Sequence, residues 1–249
     1  MNILVAISRV PDTATKILIG NDGKSIDTNN VKFILNPYDE YAIEEALQLK
    51  EKNGGRVVAI TVGPNENQET LRNAFAMGVD DGVHIKTADQ NFDSYFVAKN
   101  IAEYVRSFNP DIIFMGKQSI DFDSLQVPSI LADLLDLPVI TIVTKLEING
   151  TNVIAEREVE GGKEIVGASL PCIISAQKGL NEPRYPKLPD IMKAKKKPIE
   201  EKAAQFYENK IEILGMELPI RQRLNKIFNS SDEEIKEVVR LLHEESKLI

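Results

Sequence analysis

Over the first 140 residues, short apolar runs rich in β-branched residues alternate with stretches of helical periodicity. Parallel strands need long return connections, so this alternation predicts crossover units laid on a mostly parallel sheet. The strand-like runs are Ile3 to Ile7, Val57 to Val62, Val83 to Ile85 and Ile112 to Met115. Between the first two, Asn36-Pro37 reads as an N-cap followed by proline at the first helical position, with Asp39 and Glu40 complementing the helix dipole. Ala42, Ile43, Ala46 and Leu47 form the core stripe of that helix, and Gly54-Gly55 stops it. A second helix is predicted over Glu66 to Met77, ending at Gly78; a third carries Val97, Ile101, Tyr104, Val105 and Phe108 before Asn109-Pro110. Three crossovers in order predict a doubly wound α/β layer.

From Ile140 the pattern changes to Val/Ile/Thr-rich runs separated by Asn149-Gly150 and Gly161-Gly162, dipeptides that tolerate the positive φ of hairpin turns. Antiparallel strands are therefore expected to extend the sheet. After Ala176, prolines 183, 186, 189 and 198 and a charged stretch mark a segment with no core of its own. The expected organisation is an α/β domain over 1–180 and an arm over 181–249. Ser231 with Glu234 reads as a capping box, opening a helix whose apolar face is Ile235, Val238, Val239 and Leu242.

Composition narrows the chemistry. A chain of 249 residues with 43% apolar and 27% charged residues can bury its own core. Its net charge of −8 disfavours duplex nucleic acid, whose binding rests on cationic contacts to phosphate. No run approaches the ~18 apolar residues of a membrane span, and Asn2 to Ser8 is too short for a secretory core, so the protein is expected to stay where it is made. The single cysteine, Cys172, excludes an intramolecular disulfide and reads as a packed strand residue beside Pro171. The sequence holds no G-x-S-x-G, H-E-x-x-H, Walker A or G-x-G-x-x-G signature. The two histidines, His84 and His243, read as a core and a surface imidazole, so neither a catalytic residue nor a metal site is expected.

The most informative stretch is Gly116-Lys117-Gln118-Ser119-Ile120-Asp121-Phe122-Asp123-Ser124-Leu125-Gln126-Val127. It follows an apolar strand and leads into a helix bearing Val127, Leu131, Leu134 and Leu135, which places it at the carboxyl edge of the sheet. Free amides at that helix start suit a phosphate, although Asp121 and Asp123 would repel one unless they point away, bind a ribose hydroxyl or, for Asp123 with Gln126, cap the helix. A purely structural loop is the competing reading. The second stretch is Lys193-Ala194-Lys195-Lys196-Lys197, preceded by Leu188-Pro189-Asp190-Ile191-Met192. Such a run is either a solvated face or a docking element in which apolar anchors give affinity and charges steer an acidic partner.

Together with Val5-Ala6 through Arg9-Val10, Asn36 to Asp39 with Ala42 to Ala46, Ala76-Met77-Gly78, Glu156-Arg157-Glu158 with Gly161-Gly162, and Leu180 to Tyr185, these stretches resemble the beta subunit of electron transfer flavoprotein along nearly the whole chain. That resemblance implies a heterodimer with an alpha subunit carrying one FAD, held mostly by alpha, that takes electrons from flavin dehydrogenases and transiently meets a membrane quinone oxidoreductase. It implies an AMP site at Ala6, Asn36, Pro37, Tyr38, Asp39, Val62 and Gly116 to Val127, with Tyr38 and Thr13 toward the flavin and Glu158 reaching toward alpha. It also implies a recognition loop over Leu180 to Lys197, anchored by Leu188 with Pro189, Ile191, Met192, Lys193 and Lys196 around it. The implied location is the bacterial cytoplasm, or the mitochondrial matrix in a eukaryote.

Two other readings remain. Bifurcating relatives carry a second FAD in place of AMP and glycine at the position of Phe122, whose bulk is expected to crowd a flavin or its diphosphate. A stand-alone adenine-nucleotide sensor, similar to universal stress proteins, shares the fold but gives no reason for the arm. An ATP pyrophosphatase needs a Ser-Gly-Gly loop where this chain has Ser8-Arg9-Val10-Pro11-Asp12.

Overall fold

The computed structural model of the chain describes residues 1–219 and 226–248; residues 220–225 of the arm and residue 249 lie outside them. The predicted alternation is realised as β1 (Asn2–Ala6), α1 (Pro37–Asn53), β4 (Arg56–Gly63), α2 (Gln68–Met77), β5 (Asp81–Lys86), α3 (Ser94–Phe108), β6 (Ile112–Gly116) and α4 (Val127–Leu135). A two-stranded flap, β2 (Arg9–Pro11) against β3 (Phe33–Leu35), lies between β1 and α1 in sequence. The second helix differs from expectation at its start, where Asn65–Asn67 form a 3₁₀ turn before the α-helix opens at Gln68.

The main sheet has nine strands in the order β11-β5-β4-β1-β6-β10-β7-β8-β9. It is parallel from β11 to β7 and antiparallel through β7 (Val139–Asn149), β8 (Asn152–Val159) and β9 (Gly162–Ser169), as the hairpin dipeptides predict. Gly150 and Gly161 take φ of 62° and 81° at those turns, which a side chain would resist. The central strands are buried on both faces. Ile3 and Val5 pack with Leu47, Leu71 and Phe75 under α1 and α2, whereas Leu4 and Ala6 pack with Ile101, Tyr104 and Leu131 under α3 and α4. The chain therefore winds to one side of β1 through β4 and β5 and to the other through β6 and β10 (Cys172–Ala176), and the switch between β1 and β6 opens a crevice at their carboxyl ends.

Ile142 has φ of 61°, a costly conformation for a β-branched residue, at the place where β7 leaves parallel pairing with β10 for antiparallel pairing with β8. Its amide donates to the Ser175 hydroxyl at 3.0 Å, which keeps a bond that the sheet ladder drops there.

The arm returns to the body. Helix α5 (Leu188–Ala194) packs on α2, and β11 (Glu200–Ala203) pairs in parallel with β5 as the last strand of the sheet. Its sequence Glu-Glu-Lys-Ala places charges on an open edge, which discourages pairing with another chain. Near the end, α6 (Asp232–Arg240) begins with half of the predicted capping box: Ser231 Oγ accepts from the Glu234 amide at 3.3 Å, while the Glu234 carboxylate accepts from the Asn229 amide and not from that of Ser231. Its apolar positions Ile235 and Val239 are exposed.

Candidate functional site

The strand register brings Ala6, Val62 and Gly116 to one edge, because Ala6 pairs with Ile60 on one side and with Met115 on the other. Asn36 and Pro37 start α1 directly above that edge. Asn36 is fully buried, yet it does not cap the helix as predicted: its Nδ2 donates to the carbonyl of Gln118 at 2.9 Å, tying α1 to the loop after β6. Its Oδ1 is buried without a partner. Asp39 likewise serves the crevice more than the helix dipole. One carboxylate oxygen accepts from the Ser8 amide at 2.7 Å and the Ser8 hydroxyl at 2.8 Å, and the other accepts from the Gly116 amide at 2.9 Å. The carboxylate thus staples the ends of β1 and β6, the two walls of the crevice. Burial pushes the Asp39 carboxyl up to about 6, against the pull of those donors. Gly116 is required here, since a Cβ would meet Asp39 Oδ1 at 2.5 Å and the Tyr38 backbone at 2.8 Å.

Above the crevice runs the loop from Lys117 to Gln126. Lys117 Nζ lies 4.9 Å over the Tyr38 ring, within cation–π range. Asp123 does not cap α4, which opens four residues later at Val127 with Pro128 in its first turn; its carboxylate accepts from Gln118 Nε2 instead. Asp121 accepts from the Phe122 amide at 2.8 Å. Both acids make their hydrogen bonds within the loop. Asp123 and Leu125 both take φ of 51°, a strained pair held in part by a 3.2 Å contact between the Ser124 and Ser94 hydroxyls. Phe122 projects outward, 63% exposed. The first amides of α4 have no intrahelical acceptor.

Elsewhere on the same edge, His84 is a buried imidazole with one ring nitrogen 2.8 Å from the Gly63 carbonyl. Cys172 is buried, and burial pushes its thiol up to about 11, as a packed rather than reactive residue requires.

The arm carries the second set of predicted residues. Leu188 and Met192 are 73% and 56% exposed, and Ile191 is also exposed; around them Pro189, Lys193 and Lys196 face solvent. The run is not uniform, however, for Ala194 is buried and Lys197 is half-buried. Glu158 lies apart from them on β8, where it accepts from Gln177 Nε2 at 3.1 Å. The base of the arm is fixed by Arg184, which donates to Glu44 through Nε at 2.8 Å and Nη2 at 3.0 Å and to Glu51 through Nη1 at 2.6 Å. Burial alone would raise the Glu44 carboxyl, but hydrogen bonds from Arg184 and Gln48 outweigh it and hold it below the ordinary range.

Sequence reasoning missed Ser8, which donates to Asp39, and Arg72 on α2, whose Nη1 donates to the Ala194 carbonyl at 2.9 Å, because each acts on a segment distant in the chain and neither belongs to a recognisable spacing. Arg184 and Glu44 stood within the resembling stretches, but nothing in either stretch joins them.

Residues 24–206 match the family model described as the electron transfer flavoprotein domain. The chain is 46% identical to the electron transfer flavoprotein subunit beta of Bacillus subtilis, with 100% of each chain covered. It is 39% identical to the mitochondrial subunit beta of Arabidopsis thaliana, covering 98% of this chain and 99% of the relative, and 37% identical to the subunit beta of Mus musculus, covering 97% and 99%.

Proposed function

Because this chain belongs to the electron transfer flavoprotein family, as a beta subunit with a role in electron transfer, we propose that it pairs with an alpha subunit, holds AMP at the carboxyl-edge crevice and docks flavin dehydrogenases through its arm. The crevice carries this reading. Its walls are held at a fixed separation by Asp39, it lies at the switch point where doubly wound sheets take ligands, and the buried Asn36 Oδ1 lacks a donor that a ligand amine or hydroxyl would supply.

AMP fits the groups present. The amides at the start of α4 and the loop before it suit its phosphate, Asn36 and the backbone at Ala6 and Val62 suit its nucleoside part, and the loop acids are already engaged. AMP supplies no redox chemistry, so its role here is to join loop to sheet. FAD, held mostly by the alpha subunit, supplies the one- and two-electron chemistry when bound. By the family resemblance, Tyr38, which lies under Lys117 at the crevice, and Thr13 are assigned to the flavin end and Glu158 on β8 to the reach toward alpha. No residue of this chain breaks or forms a bond. Leu188, Met192 and the exposed lysines give the dehydrogenase an apolar anchor ringed by positive charge. Contact with a membrane quinone oxidoreductase is proposed as transient docking between surfaces, and among the described residues no helix is long and apolar enough to cross a membrane.

The test is to co-express the chain with its alpha partner, heat-denature the purified complex and count released nucleotides by absorbance and chromatography. One FAD and one AMP per heterodimer are expected. Two FAD would overturn the AMP assignment, and adenine nucleotide without flavin or partner would overturn the carrier reading.

A further inference from the structure

We propose that Arg72 is a positioning residue for the docking helix α5 and that Lys197 belongs to the same clamp, not to the charged face that meets a partner. The inference rests on the docking role just proposed for α5. That helix has seven residues, no side-chain cap at its start and one buried residue, Ala194, so its own hydrogen bonds cannot keep it formed. Its fixed end is supplied from α2. Arg72 Nη1 donates to the Ala194 carbonyl at 2.9 Å and also to the Lys197 carbonyl. Those carbonyls lie at the end of the helix and of the turn after it, where Ala194 O also accepts from the Lys197 amide at 3.2 Å and where a cation complements the helix dipole.

Lys197 then reaches back the other way. Its Nζ donates to the Val79 carbonyl at 2.7 Å and lies 4.9 Å over the Phe75 ring, while the Arg72 guanidinium stands 5.8 Å from the same ring. Two cations, one from the body and one from the arm, thus close on a single aromatic side chain of α2. The neighbouring Lys193, Lys195 and Lys196 are exposed and make no such return. With Arg184 holding the base of the arm on α1, the segment between is pinned at both ends, and Leu188 and Met192 are presented in a set orientation. A docking element ordered before encounter avoids the cost of ordering it on binding. Loss of the clamp therefore weakens docking without altering the electron-transfer step.

The experiment uses the complete complex with its alpha subunit and an acyl-CoA dehydrogenase reduced by its own substrate as the electron donor. Arg72→Met is compared with the parent, Lys197→Met and Leu188→Ala, reading KM for the dehydrogenase, maximal rate, FAD content, and the rate of tryptic cleavage after Lys195 and Lys196. Arg72→Met and Lys197→Met are expected to raise KM roughly three- to tenfold, the effect of losing one or two hydrogen bonds, with maximal rate and FAD unchanged and cleavage faster. If Leu188→Ala raises KM while both clamp variants match the parent, the clamp inference fails and the docking role survives. If Leu188→Ala leaves KM unchanged, the docking role fails and takes this inference with it. Should Arg72→Met not fold, Lys197→Met decides the matter alone.

Discussion

At the residue scale, the side chain with most consequence is Asp39. Two of its three donors belong to Ser8, just past β1, and the third is the amide of Gly116 at the end of β6, so one carboxylate ties these two segments together. Asp39→Asn turns an N–H toward the Gly116 amide and leaves that donor unpaired, and is expected to cost about 1–3 kcal/mol. The pH dependence has a definite sign. A carboxyl whose folded pKa is pushed up to about 6 binds its proton more tightly in the native state, so its contribution is full below the unfolded value near 3.9 and is lost as pH rises through about 6. The stability gap between parent and Asp39→Asn, followed by denaturant unfolding, should therefore be wider near pH 4 than near pH 7. Parallel profiles would show that Asp39 does not titrate in that window.

At the scale of elements, the arm is held by two attachments of different character: Arg184 on α1, and the carbonyls of α5 on α2. Arg184→Ala leaves Glu44, whose side chain is 5% exposed, with its charge uncompensated. The expected loss is about 2 kcal/mol, less than for a fully buried pair because the guanidinium is partly in water. Here the sign runs opposite to that of Asp39. The Glu44 carboxyl is held below its ordinary range, so its share of stability is present above the unfolded pKa and lost as pH falls through the folded one. The variant should thus be least impaired in acid. Faster amide exchange across residues 183–197, with exchange in β1 and β6 unchanged, would show that the bond secures the arm and not the sheet; uniform acceleration would contradict that. Recognising the arm required only its prolines and charges. Its return as α5 and β11 could not be read from them, because a four-residue charged strand carries no periodic apolar signal.

At the scale of the whole molecule, many of the large apolar side chains left exposed lie in the later part of the chain, among them Phe206, Leu214, Leu218, Ile227, Ile235 and Val239. We propose that the alpha subunit covers them. Expressed alone, the chain should self-associate, as light scattering would report, and co-expression with alpha should suppress this; a well-behaved monomer would argue that these side chains need no partner to cover them. The sequence by itself determined the parallel layer, its antiparallel extension, the place of the carboxyl-edge loop and the family. Those depend on local periodicity, turn residues and contiguous motifs, all written within a few residues of one another. Tertiary structure alone decided that Asn36 and Asp39 spend their side chains on Gln118, Ser8 and Gly116, that Arg72 and Lys197 hold the docking helix, and that the arm supplies the last strand. Each of these joins groups tens of residues apart, where the choice of partner is set by which surfaces the packed sheet brings within hydrogen-bonding reach.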